Sequence, residues 1–296
     1  MCFTMKSNKA SLYRGINLKV GEFLVNRLIP ASTLGSVGAI VFLDHIYPVD
    51  LRHDSSSFPT GNYAHPHRGI VTFSYVLSGS LSHYDSRGNH NIIGAGGLQW
   101  MKAGNGIIHD EKPFIMENDE PIFHSLQFWV NLPGEAKKEE PEYMALQAVD
   151  VPEAQLPDHG GTIRILLGEF GLWASPIPTF NHEFIYHLSL NPHSSFSFSP
   201  RKDDEVAVFV TASEVDVNGI VLGNSKMLLM EEGIKEIVFQ NDKINAADIL
   251  IFGGKPYNEP IVAEGPFVMN SYADIATAYR DFFAGAYGSI NLSWVR

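Results

Sequence analysis

Cysteine is all but missing: one residue, Cys2, in a chain of 296. No disulfide framework, thiolate-ligated zinc site or intramolecular dithiol chemistry can be built from it. So little cysteine suits a reducing compartment, and a cytoplasmic location is expected. Basic residues are also short, with 21 Lys and Arg against 33 Asp and Glu and a formal net charge of −12. There is no basic run, which argues against direct nucleic-acid binding because phosphate neutralisation dominates that affinity. No apolar run approaches the ~20 residues of a membrane-spanning helix. The opening MCFTMKSNKASLYRG has no apolar core of signal-peptide length.

What is present is turn chemistry. Gly (26) and Pro (17) punctuate many short strand-like runs. Such runs occur at Val37–Leu43, Ile70–Leu77, Phe123–Val130, Thr162–Leu167, Phe184–Leu190, Val206–Thr211, Met227–Met230 and Ile249–Phe252. Turn signals separate them: Ser78-Gly79, Arg87-Gly88-Asn89, Val217-Asn218-Gly219 and Glu231-Glu232-Gly233. Helical periodicity is scarce, and its best instance comes late. Ser271 can cap a helix running to Ala284, with Ile275, Ala278, Tyr279, Phe282 and Phe283 on one apolar face and Gly285 as its stop. Residues Asn131–His159 are rich in Pro and Glu and show no strand pattern. The expected division is therefore a first domain over 1–135, a linker over 136–160 and a second domain over 161–296. Both halves share the same strand texture, which predicts two tandem β-barrels, an all-β chain with a C-terminal helix.

The chemistry lies in the first half. Residues 61–69 read GNYAHPHRG and 104–113 read GNGIIHDEKP. His65 and His67 are two apart, as are His109 and Glu111. Residues i and i+2 of a strand share a face. Pro66 cannot donate to a central ladder, so its segment belongs at an edge, a bulge or a strand start. Two such pairs meeting inside a barrel would offer three imidazoles and a carboxylate. That donor set suits iron, manganese, nickel, copper or zinc, and in an octahedral shell it leaves two positions open. The remaining histidines read less sharply. His83 and His90 flank the Arg87-Gly88-Asn89 turn and are expected to face solvent. His45, His53 and His124 are read as structural, with support of a ligand imidazole as the functional alternative. His182, His187 and His193 are too widely spaced to pair.

HPHRG, then LQWMKAGNGIIHDEKP, LQFWVNLP and, at 265–270, GPFVMN occur in that order. In combination they resemble the pirin family of the cupin superfamily, from about Val37 to Phe283. The resemblance implies a bicupin of two antiparallel jelly-roll barrels. It places one mononuclear metal, typically iron cycling between ferrous and ferric, in the N-terminal barrel. By motif match the ligands are His65, His67, His109 and Glu111, and the C-terminal barrel is expected to lack a metal. Two positions depart from the family pattern. Val71 stands where a cupin Glu is common, which is expected to remove an acidic group near the site. Ala95-Gly96-Gly97 replaces a Pro-Gly-Asp turn, for which only a local change is expected.

The family carries two roles. One is quercetin 2,3-dioxygenase activity, with a flavonol-like substrate and dioxygen, and Glu111 as both ligand and general base. The other is a redox-sensitive regulator that binds a protein partner such as a transcription factor or a metabolic enzyme. The dioxygenase is the preferred reading. Gln99, Trp100 and Met101 are read as core packing, with pocket lining as the alternative. Arg68 has two readings, to face a substrate anion or to pair with a surface carboxylate.

Overall fold

A computed structural model describes residues 5–7, 10–52, 61–115 and 121–292. His53 lies outside them. Contacts divide the chain into two compact units that do not follow chain order. One unit, which carries the two histidine motifs, comprises 19–24, 46–150 and 258–296. The other comprises 1–18, 25–45 and 151–257. Each unit completes itself with a segment from the far end of the chain, and pairing across so long a separation leaves no mark in composition.

The strands of the histidine unit include β1 (His65–His67), β2 (Ile70–Ser78), β3 (Ser80–Asp85), β4 (His90–Ile93), β5 (Leu98–Lys102), β6 (Ile107–Phe114), β7 (Ile122–Asn131) and β8 (Glu142–Leu146). One sheet has β8, β5, β2 and β7 as successive neighbours, and a four-stranded sheet runs β1-β6-β3-β4. β1 is therefore an edge strand, as Pro66 requires. β8 lies inside the segment expected to be a strandless linker and pairs antiparallel with β5 from Leu98↔Leu146 to Lys102↔Glu142. A hydrophobic cluster of Leu51, Val76, Leu81, Ile93 and Phe123 fills one part of this unit.

The other unit has β9 (Gly161–Leu167), β10 (Phe184–Leu190), β11 (Ser194–Phe198), β12 (Glu205–Val210), β13 (Val215–Val217), β14 (Ile220–Leu222), β15 (Lys226–Met230), β16 (Ile237–Asn241) and β17 (Ala247–Gly254). An eight-stranded sheet carries β15-β12-β17-β10-β9 in its centre, and a four-stranded sheet runs β11-β16-β13-β14. Both sheets feed one core, including Ile163, Leu188, Val208 and Ile251 from the first and Val215, Ile237 and Phe239 from the second. The N-terminal strand Ala10–Tyr13 pairs with β15 and belongs to this unit.

The predicted turns form where expected. Asn218 and Gly219 both have positive φ, 52° and 80°, the requirement of a two-residue type I′ hairpin. The helix, α1, runs Tyr272–Phe283 with Ser271 as N-cap, its hydroxyl accepting the Asp274 N–H at 3.2 Å. It follows a hairpin of β18 (Val262–Glu264) and β19 (Phe267–Met269) and packs with it in the histidine unit. Ile275 and Ala278 are buried, but Phe283 is 79% exposed, so the apolar face ends one residue short of the prediction. No helix among the described residues is long and apolar enough to cross a membrane.

Candidate metal centre

Register builds this site. On β6 the residues Ile107, His109 and Glu111 share a face. The edge strand β1 sets His67 opposite Ile107 and His65 opposite His109. On the other side β3 sets Asp85 opposite His109 and His83 opposite Glu111. Three i, i+2 pairs, His65/His67, His109/Glu111 and His83/Asp85, thus fall on one face of one sheet.

The ligating atoms of His65, His67 and His109 all lie within 4.8 Å of one another. His65 Nδ1 donates to the Tyr63 carbonyl at 2.8 Å, and His67 Nδ1 to the Pro266 carbonyl at 3.1 Å. A carbonyl can only accept, so each Nδ1 carries the proton and each Nε2 keeps its lone pair, the arrangement usual for a metal-ligating histidine. His109 and His67 are buried and His65 is exposed. Burial first, then neighbouring His65, holds the His67 imidazole well below its ordinary range. His109 is depressed likewise by burial and by His65, His67 and His83. Neutral imidazoles are the form that binds a metal. Three imidazoles whose ring nitrogens lie this close, two of them buried, fit a divalent cation between them.

Glu111 sits on the other side of His109. Its Oε1 lies 3.8 Å from His109 Nδ1 and 4.0 Å from His83 Nδ1, and these three residues form a second group within 4.8 Å. Burial raises the Glu111 pKa, opposed by His83, His65 and hydrogen bonds from Ser74 and Gln99. Ser74, Gln99 and Gln127 stand in one cross-strand row: Gln99 Nε2 donates to Glu111, and the Ser74 hydroxyl has Glu111 at 3.2 Å and the Gln127 side-chain oxygen at 2.7 Å as its two acceptors. The Gln99 carbonyl in turn accepts the Tyr143 hydroxyl at 3.0 Å. Gln99 is thus part of the site. Trp100, one residue on, points to the other face and packs in the core. Met101 shares the Gln99 face and is buried.

His83 corrects the expectation of solvent exposure. It is fully buried, stacks on Tyr143 with centroids 4.3 Å apart and contacts the Asp85 carboxylate through Nε2 at 3.3 Å. Burial resists ionisation of Asp85, yet hydrogen bonds from His83 and Asn89 outweigh it and lower the pKa. The signal was in the sequence. His83-Tyr84-Asp85 has the same i, i+2 spacing as the other two pairs. His90 is exposed as expected and stacks on Tyr84.

Val71 also corrects an expectation. It lies opposite Lys102 and Val130, on the sheet face away from Ser74, so its substitution takes no acidic group from the site. At Ala95–Gly97, Gly96 (φ +77°) donates to the Val76 carbonyl, and a Cβ at Gly97 would meet two carbonyl oxygens at 2.9 Å. Arg68 pairs with Asp281 at 2.8 Å, which decides between its two readings. His45 lies in the other unit against Phe209, and His124 sits opposite Ser78. Neither joins the histidine groups. Trp129, unassigned by the sequence reading, sets its ring edge-on to His67 with centroids 5.0 Å apart.

The family profile described as Pirin matches residues 22–130, and that described as Pirin C-terminal cupin domain matches 185–288. A Pseudomonas aeruginosa protein bearing the name "Putative quercetin 2,3-dioxygenase" is 30% identical over 271 residues, 90% of this chain and 93% of that protein. Pirin-1 of Arabidopsis thaliana is 31% identical over 239 residues, 77% of this chain and 78% of its own. A crystal structure titled as quercetin 2,3-dioxygenase from Acinetobacter baumannii matches with a TM-score of 0.84 and 29% identity, covering 95% of this chain and 98% of that one.

Proposed function

The chain belongs to the pirin family, and from that membership we propose a mononuclear-metal dioxygenase acting on flavonols such as quercetin. In this reading iron is held by His65, His67, His109 and Glu111. The observation that carries it is the convergence of three imidazoles on a shared point, two of them tautomerically fixed by backbone carbonyls. Relatives named as quercetin dioxygenases support the substrate class. The bound metal supplies Lewis acidity toward a phenolic oxygen and a place for dioxygen beside it.

The chain's own residues do the rest. His65 is the exposed member of the triad, so a substrate reaches the site from its side. The Trp129 ring beside His67 offers an apolar wall to a flat aromatic molecule. Glu111 is the carboxylate beside His109 and accepts the flavonol 3-hydroxyl proton. Ser74 and Gln99 orient it.

The test is aerobic turnover of quercetin by iron-loaded protein, followed as loss of flavonol absorbance. Glu111→Gln, compared at matched iron occupancy, should lose ~10²–10⁴-fold in turnover while keeping part of its metal. Fully iron-loaded wild type that leaves quercetin untouched in air overturns the proposal.

A further inference from the structure

Proton bookkeeping around His109 leads to a second donor set. His65 Nδ1 gives its proton to Tyr63, so His65 Nε2 is a bare acceptor. His109 Nε2 lies 3.1 Å from it, so with no ion between the two rings the contact is a hydrogen bond in which His109 Nε2 donates. This leaves the lone pair of His109 on Nδ1. That atom is buried, has no hydrogen-bond partner and lies 3.8 Å from Glu111 Oε1. His83 repeats the pattern. Its Nε2 faces the Asp85 carboxylate at 3.3 Å, which can only accept, so its Nδ1 is also bare. His83 Nδ1 is buried without a partner, 4.0 Å from Glu111 Oε1.

Two imidazole nitrogens and a carboxylate oxygen thus converge within 4.8 Å, and neither nitrogen has a hydrogen-bond partner. Acceptors gathered this way repel one another unless a cation stands between them. Two His and one carboxylate are the facial set typical of non-haem ferrous sites. Asp85 behind His83 completes the carboxylate–histidine–metal arrangement. Donors bound at about 2.1 Å stand roughly 3 Å apart in such a shell, so the 3.8 and 4.0 Å separations to Glu111 need to close by about 1 Å.

We propose that His83, His109 and Glu111 form an inner metal station that adjoins the His65/His67/His109 station. It holds a divalent transition ion through His83 Nδ1 and His109 Nδ1. The proposal rests on the metal-binding reading above. His109 is common to both, and a neutral imidazole offers one lone pair, Nε2 to the outer group or Nδ1 to the inner, so the two are alternatives for one ion rather than sites for two. The outer station includes exposed His65, whereas the histidines of the inner one are both fully buried. An ion in the inner station is withdrawn from solvent and substrate.

The test uses Co(II), whose d–d absorption reports its coordination, with equilibrium dialysis for stoichiometry. Wild type is expected to bind one Co(II) per chain. His65→Ala/His67→Ala should still bind one, with a changed absorption spectrum. Adding His83→Phe, which keeps the stacking area against Tyr143, should then weaken binding at least about tenfold. His109→Ala alone should cost more than the His65/His67 pair, because it removes a ligand of both stations. His83→Gln replaces His83→Phe if circular dichroism shows the latter unfolded. A double variant that takes up no Co(II), or a triple variant that binds as tightly as the double, overturns the inner station. Wild type that binds no Co(II) overturns the metal reading itself and the station with it.

Discussion

Lys137 carries its ammonium into the interior of the histidine unit, where it donates to the Asn131 side-chain oxygen at 2.6 Å and the Val268 carbonyl at 2.7 Å. Neither partner is charged. Burial therefore wins over Glu259 and Asp274 and pushes its pKa down from 10.5 to about 8. The folded chain then binds fewer protons than the unfolded chain between about pH 8 and 10.5. Stability held back by this lysine at lower pH is recovered as pH rises through that window. At 1.36 kcal/mol per unit the recovery is about 3 kcal/mol in full. Thermal melts from pH 6.5 to 10 should show wild type gaining on Lys137→Met above pH 8 and a constant difference below pH 7. Parallel curves throughout would show that Lys137 is not buried in its charged form.

At the scale of elements, the hairpin of β18 and β19 reaches the candidate metal site through backbone. The Pro266 carbonyl fixes the His67 tautomer, Val268 N–H donates to the Arg68 carbonyl, and Lys137 holds the Val268 carbonyl. Gly69 permits this approach. It has φ +80°, and a Cβ there would fall 2.0 Å from the Val268 oxygen. Gly88 has a similar φ, +87°, but nothing within 4 Å. Gly88→Ala should cost only the left-handed backbone penalty, about 1–2 kcal/mol. Gly69→Ala adds the clash with backbone, should cost at least about 2 kcal/mol more, and should weaken metal binding by displacing the Pro266 carbonyl. Urea unfolding of both variants, with metal titration of each, checks this. Equal costs, or unchanged metal affinity in Gly69→Ala, would remove the backbone clamp from the account.

At the scale of the molecule, neither compact unit is contained in one half of the chain. The histidine unit needs 258–296, and the other unit needs 1–18 and 25–45. Fragments 1–150 and 151–296 made separately should therefore be unfolded or aggregated. Produced together they should co-purify and recover metal binding, measured as metal retained after gel filtration. A fragment 1–150 that is monomeric, cooperatively folded and binds metal with wild-type affinity would show that the terminal segment is dispensable.

Much of this protein was legible in the order of its residues. Alternation and turn chemistry act over a few positions, so Phe184–Leu190, the Asn218-Gly219 hairpin and the Ser271 cap could be read locally. The His65/His67 and His109/Glu111 pairs carry their own spacing, and the motifs around them carry the family resemblance. Other features belong to tertiary structure alone. His83 reads as a turn-flanking surface residue until strand register sets it opposite Glu111. Val71 reads as a lost site carboxylate until pairing with Lys102 and Val130 turns it to the far face. The exchange of terminal segments is invisible in composition because it depends on contacts some two hundred residues apart, such as His67 with Pro266. Local sequence sets which faces residues can share. Only the packed chain decides which strands are neighbours, and with them which lone pairs meet.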